Sequence, residues 1–213
     1  MMLLRRLKPR GRTYVAPDLD ELRRQRRAPT IENVFEVLDL LERHGIGVWL
    51  HGGWAVESLL GIPLSHQDVD LLVSATDEEK VRELVGDRAV QETNGILVCC
   101  FHQVQVDFSF FYPYHGSRAY VAHAGLIWVF PDPRTHGWQG TLAGRSVPII
   151  HPAHLVAAQE HTVRKKKKAL AKMLERARML REKLAPEELA HSRQFWPHPY
   201  TWWNEWRLRL RLL

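Results

Sequence analysis

Two carboxylates one residue apart, Asp68 and Asp70, stand in the run Gln67-Asp68-Val69-Asp70-Leu71-Leu72-Val73. Alternate residues of a strand share a face, so both aim at one spot. Adjacent anions repel and raise each other's pKa. A fold keeps such a pair most readily when a cation lies between them. Hard oxygen ligands suit Mg2+, which takes one or two carboxylates together with substrate phosphates. A third carboxylate, Asp107, interrupts the apolar segment Val104-Gln105-Val106-Asp107-Phe108-Ser109-Phe110. A buried charge is costly unless paired or metal-bound. Beside Asp68 and Asp70 it would complete the equipment for two-metal catalysis, one ion on the attacking oxygen and one on the leaving group. Upstream, Gly52-Gly53 lets the backbone approach a bulky anion. The combination predicts a site for a metal-bound nucleoside triphosphate. The competing reading is a pair of solvated aspartates on an edge strand.

The elements around these residues follow from periodicity. Ile31, Val34, Phe35, Leu38 and Leu41 recur at helical spacing, with Thr30 as N-cap and Gly45 as C-cap. Gly47 to Leu50 reads as a strand, and Gly52-Gly53 turns it into a helix from Trp54 to Leu60. Asp68 to Val73 alternates as a second strand, and Thr76-Asp77 opens a helix to about Val85. Strands are predicted over 96–101 and 104–111, separated by His102-Gln103. A hairpin is predicted over 118–121 and 126–130, and another joins 141–142 to 145–150. After Pro152 a long amphipathic helix is expected, interruptible at the lysine run and stopping before Pro186. A short helix is expected from Pro17 to Arg27. The fold class is α/β (α+β), a small mixed sheet flanked by helices with a C-terminal helical segment. The expected units are a basic arm (1–29), a catalytic domain (30–150) and a helical region with an aromatic tail (151–213).

Composition limits the partners. The chain has 213 residues, 45% hydrophobic and 25% charged, which suits a globular protein able to bury a core. A net charge of +6 favours anionic partners such as nucleotides or nucleic acid. The only two cysteines, Cys99 and Cys100, are adjacent in an apolar segment, so they read as strand residues rather than a disulfide or zinc site. No apolar run approaches a membrane span, and Met1 to Lys8 lacks the core of a secretory signal. A cytoplasmic location is expected.

Gly-Gly-Trp, a short helix ending Leu-Leu-Gly, and then His-x-Asp-x-Asp in an apolar strand resembles the aminoglycoside and lincosamide nucleotidyltransferases of the DNA polymerase beta-like superfamily. The resemblance is carried by residues 31–73 and by Asp107, about half the chain. It implies a Mg2+-dependent enzyme, with two ions, that moves a nucleoside monophosphate to a hydroxyl of a small molecule. The donor would be ATP or another nucleoside triphosphate, and AMP the group moved. Asp68, Asp70 and Asp107 would hold metal, and Asp107 would help deprotonate the acceptor. Gly52, Gly53 and Trp54 would bind the nucleotide at a helix start, where the dipole favours anions. The sequence departs from the branch at Gln67, where arginine is frequent.

Between Arg164 and Lys183 there are ten Lys/Arg against two Glu. Lys165 and Lys168 are candidates for reaching the phosphates; a solvated helix face is the plain alternative. The same basic helix keeps RNA open as a partner. His154 and His161, seven apart, are expected to share a helix face. His66 either orients the metal ligands or is a buried, hydrogen-bonded side chain. Trp196, Trp202, Trp203 and Trp206 fit packing first, with a homodimer face or stacking on a base or sugar-like substrate as the alternatives. The acceptor is expected to be an antibiotic-like molecule or another metabolite, neutral rather than cationic, given the basic chain. The alternatives are transfer to RNA or a protein side chain, and a non-catalytic nucleotide-binding module.

Overall fold

Eleven strands run through the residues described in this computed structural model, which are 14–15, 21, 24–93, 96–114, 116–123, 126–165, 170–190 and 198–199. They are Tyr14–Val15 (β1), Val48–Leu50 (β2), Val69–Ser74 (β3), Ala89–Thr93 (β4), Ile96–Phe101 (β5), Val104–Tyr114 (β6), Arg118–His123 (β7), Leu126–Pro131 (β8), Gln139–Leu142 (β9), Arg145–Pro148 (β10) and His198–Pro199 (β11). The helices are Ile31–Arg43 (α1), Gly52–Leu60 (α2), Glu78–Val85 (α3), Pro133–His136 (α4), Pro152–Lys165 (α5), Leu170–Lys183 (α6) and Pro186–Leu189 (α7). The mixed α/β class read from the sequence is the class observed.

The central sheet runs β1-β4-β5-β6-β7-β8-β11, with β3 joining β6 to β2. The β3–β6 pairing is parallel; β5 lies antiparallel to β6. β3 is therefore an interior strand, with β2 on one side and β6 on the other, which removes the edge-strand reading for Asp70; Asp68 lies just ahead of the strand. The β5–β6 hairpin turns on His102 and Gln103, both at positive φ, the geometry that matches strand twist.

Thr30 caps α1 through a capping box with Asn33. Val34, Val37, Leu38 and Leu41 form its buried face, each worth about 1.5–3 kcal/mol on burial. The cap at the other end is His44, one residue before the expected Gly45, which follows in the left-handed conformation. β4 was not foreseen. The segment after Pro152 forms α5 and α6, flanking 166–169, which lie outside the described residues. The helix expected over 17–27 falls largely outside them, as do the four tail tryptophans. One apolar core extends from Val34 in α1 to Leu184. His154 and His161 share a face, both meeting the Trp128 ring edge-on. Among the described residues no helix is long and apolar enough to cross a membrane.

Candidate active site

Strand register builds the site. Asp70 on β3 stands directly beside Asp107 on β6. Neighbours in register project to the same face of a sheet. Asp68 lies two residues before Asp70, just ahead of the strand. All three carboxylates keep partial exposure, as a ligand site requires. Burial around Asp70, with Asp68 and Asp107 adding their charge, raises its pKa well above the usual carboxylate range. Burial lifts Asp107 to about 6, against a stabilising hydrogen bond from Gln105. Clustered carboxylates held above their normal pKa are a frequent mark of a functional centre.

Among the described residues, no three His, Cys, Asp or Glu side chains already stand at metal-ligand geometry. Asp68 Oδ2 faces Arg26 Nη2 at 3.6 Å, and Asp107 Oδ1 accepts from Gln105 Nε2 at 2.7 Å. The donor set nevertheless suits a hard divalent cation: carboxylate oxygens on one face, with mutual repulsion that such an ion would relieve.

The start of α2 closes over Asp70. The peptide N–H of His51 donates to Asp70 O at 3.1 Å, and the Gly53 N–H donates to the Asp70 carboxylate. Gly52 has φ +64°, and a Cβ there would fall 1.9 Å from Asp70 Oδ2. The helix begins at Gly52, two residues before the predicted start. Trp54 is buried; its indole stacks on His66 at 3.7 Å and its Nε1–H donates to Asp68 O at 3.2 Å. His66 Nε2 donates to Glu57 Oε2 at 2.7 Å, and that same oxygen accepts the Leu64 N–H. Burial pushes the His66 pKa down, against the pull of Glu57. Of its two readings, the buried, hydrogen-bonded one matches this placement. Glu57, His66 and Trp54 thus brace the loop that delivers Asp68.

Lys165 and Lys168 are the cations expected at the phosphates. Lys168 lies outside the described residues, and so does the Lys165 side chain. The helix α6 brings two others. Lys172 Nζ and Arg176 Nη2 donate to Ser65 O at 2.9 and 3.2 Å. A Cβ on Gly53 would lie 3.7 Å from Arg176 Nη1, so the guanidinium flanks the start of α2. Arg176 is buried and its Nε has no partner among the described residues. Desolvation lowers its pKa. Arg26, Gln105, Lys172 and Arg176 carry no local signal in the sequence; only tertiary packing selects them.

A family profile describing aminoglycoside-2''-adenylyltransferase matches residues 33–173. No curated protein sequence matches the chain. The fold resembles the crystal structure of ANT(2'')-Ia in complex with adenylyl-2''-tobramycin, with TM-score 0.58 and 17% identity over 76% of this chain and 92% of that one. It also resembles the lincomycin-bound lincosamide antibiotic adenylyltransferase LnuA, with TM-score 0.56 and 20% identity over 74% of this chain and all of LnuA. The profile spans the strand pair carrying Asp70 and Asp107 and the glycine turn that closes on Asp70, and it ends in the first turn of α6, before Arg176. The chain therefore belongs to the aminoglycoside-2''-adenylyltransferase family of nucleotidyltransferases.

Proposed function

We propose that the protein transfers AMP from ATP to a hydroxyl of a small molecule. The observation that supports this most directly is the Asp70–Asp107 register, with Asp68 alongside and a helix start above. Asp68, Asp70 and Asp107 would hold two Mg2+ ions, which would supply charge neutralisation for the triphosphate and polarisation of the acceptor oxygen. Asp107 would help take the hydroxyl proton. The freed oxygen attacks the α-phosphorus. A P–O bond forms there, the bond to the β-phosphate bridge breaks, and pyrophosphate leaves. Gly52 admits Asp70 and Gly53 admits His66, and the positive end of α2 beside them would draw the triphosphate. Arg176 and Lys172, beside that turn, take its negative charge, and Trp54 holds the Asp68 loop in register. Positioning and charge neutralisation account for most of the rate in such chemistry.

The acceptor class follows from the surroundings. Arg26 faces Asp68, and Lys172 and Arg176 hold the Ser65 carbonyl in the loop before it. Such a rim disfavours a polycation, so the acceptor is neutral or weakly charged, closer to lincomycin than to tobramycin. Free Cys99 and Cys100 suit a reducing cytoplasm. The test is pyrophosphate release from each nucleoside triphosphate with Mg2+, against pooled hydroxylated small molecules and total RNA. Acceptor-dependent release should fall by about a hundredfold or more in Asp68→Asn and Asp107→Asn. Release only with RNA would move the acceptor to a macromolecule. ATP binding without release from any mixture would sink the transferase reading.

A further inference from the structure

The carboxylate cluster already has a cation, supplied from outside the family-matched region. Arg26 precedes residue 33, where the match begins. Its Nε donates to Gln67 O at 2.9 Å, its Nη2 bonds the same carbonyl, and Nη2 lies 3.6 Å from Asp68 Oδ2. Its Nη1 donates to Gln105 Oε1 at 2.5 Å, and Gln105 Nε2 donates in turn to Asp107 Oδ1 at 2.7 Å. One guanidinium therefore engages Asp68 directly and Asp107 through a single amide. The backbone beside it is pinned separately. Arg27 N–H donates to Gln103 O at 2.9 Å, Arg27 bridges to Val104, and Pro29 is buried. The Arg26 side chain is 27% exposed, so it can withdraw to solvent without undocking the arm.

We propose that Arg26 is a tethered counter-ion of the catalytic carboxylates, occupying Asp68 and, through Gln105, Asp107 until a divalent cation displaces it. The proposal rests on the reading that these carboxylates hold metal. Two positive charges cannot share the same Asp68 oxygen without repulsion, and the Gln105 amide occupies a lone pair on Asp107 that a metal would use. The arm thereby sets metal affinity, and it limits the repulsion within the cluster before loading. Arg26 is a positioning residue: it acts on the ligands and not on the reacting atoms.

The experiment is calorimetric titration of the metal-free full chain with Mn2+. Arg26→Gln removes the charge and keeps a donor for the Gln67 carbonyl, while Arg26→Lys keeps the charge. Removing a partly exposed ion pair of this kind should tighten Mn2+ binding about two- to fivefold in Arg26→Gln. Arg26→Lys should stay close to wild type, and the difference should shrink with rising salt as the competing charge is screened. Unchanged or weaker binding in Arg26→Gln, with binding lost in Asp68→Asn, overturns the counter-ion and leaves the metal site standing. A gain indifferent to salt overturns it as well. No Mn2+ bound by wild type or Arg26→Gln removes the metal reading and the proposal together.

Discussion

Asp107 ionises against its surroundings, and that carries a stability consequence. Its folded carboxyl titrates at about 6 rather than the ordinary 3.8, chiefly because of burial. The folded state thus binds this proton more tightly than the unfolded chain does. The corresponding stability is fully present below pH ~4 and is lost as pH rises through about 6. At pH 7 the metal-free protein carries a penalty of up to about 3 kcal/mol from this group. Asp107→Asn removes the charge and should raise the melting temperature of metal-free protein at pH 7 by several degrees. The gain should vanish near pH 4, where the wild-type carboxyl is protonated. Melting curves in chelator from pH 4 to 8 check this; a variant less stable than wild type at pH 7 would mean that the carboxylate is better compensated than its environment implies. At this scale the sequence was informative wherever chemistry is local. Asp68, Asp70 and Asp107 stood out because a carboxylate in an apolar strand needs a reason. Arg26 did not, since its partners lie 41 and 79 residues away.

The turn from β2 into α2 is where an element, rather than a side chain, makes the site. Gly52 combines a left-handed backbone with the approach of Asp70, so any side chain meets both strain and collision. Gly61, which ends the same helix, is also left-handed at φ +71°, yet a Cβ there meets nothing within 4 Å. The pair separates the two effects. Gly61→Ala should cost about 1–2 kcal/mol of backbone strain and leave transfer activity close to wild type. Gly52→Ala carries that strain and also pushes on Asp70, so it should lower kcat by at least about tenfold as well. Chemical denaturation and pyrophosphate release measure the two quantities; equal activity loss in both variants would deny Gly52 its special place. The glycine pair, the helix and the β3 alternation were legible because each has a period or a conformational requirement. β4 was not. Ala89-Val90-Gln91-Glu92-Thr93 holds three residues of weak strand preference, and the element is imposed by pairing with β5.

Across the whole molecule, the C-terminal helices complete what the sheet begins. Both α5 and α6 share the core that carries β3 and β6, and α6 brings Lys172 and Arg176 to the loop before Asp68. Ten basic residues crowd 164–183, and the sequence could not say which reach the Ser65 loop, because helix rotation is set by packing. The structure distinguishes two of them by burial. Arg176 is 8% exposed, with an Nε that has no partner among the described residues, whereas Lys172 is on the surface. A desolvated guanidinium beside a helix N-terminus forms a site for an anion, and a hydrogen bond from a charged group to one contributes about 1.5–3 kcal/mol. Arg176→Ala should therefore raise the KM for ATP by roughly ten- to a hundredfold, while Lys172→Ala changes it about twofold. Stability should separate binding from folding. Added ATP should raise the melting temperature of wild type more than that of Arg176→Ala, as linkage demands of a lost ligand contact. Without nucleotide, loss of a poorly solvated cation should offset much of the lost packing, so the two proteins should melt close together. An unchanged KM in Arg176→Ala, with a large fall in stability without ligand, would make this arginine a strut between α6 and the Ser65 loop.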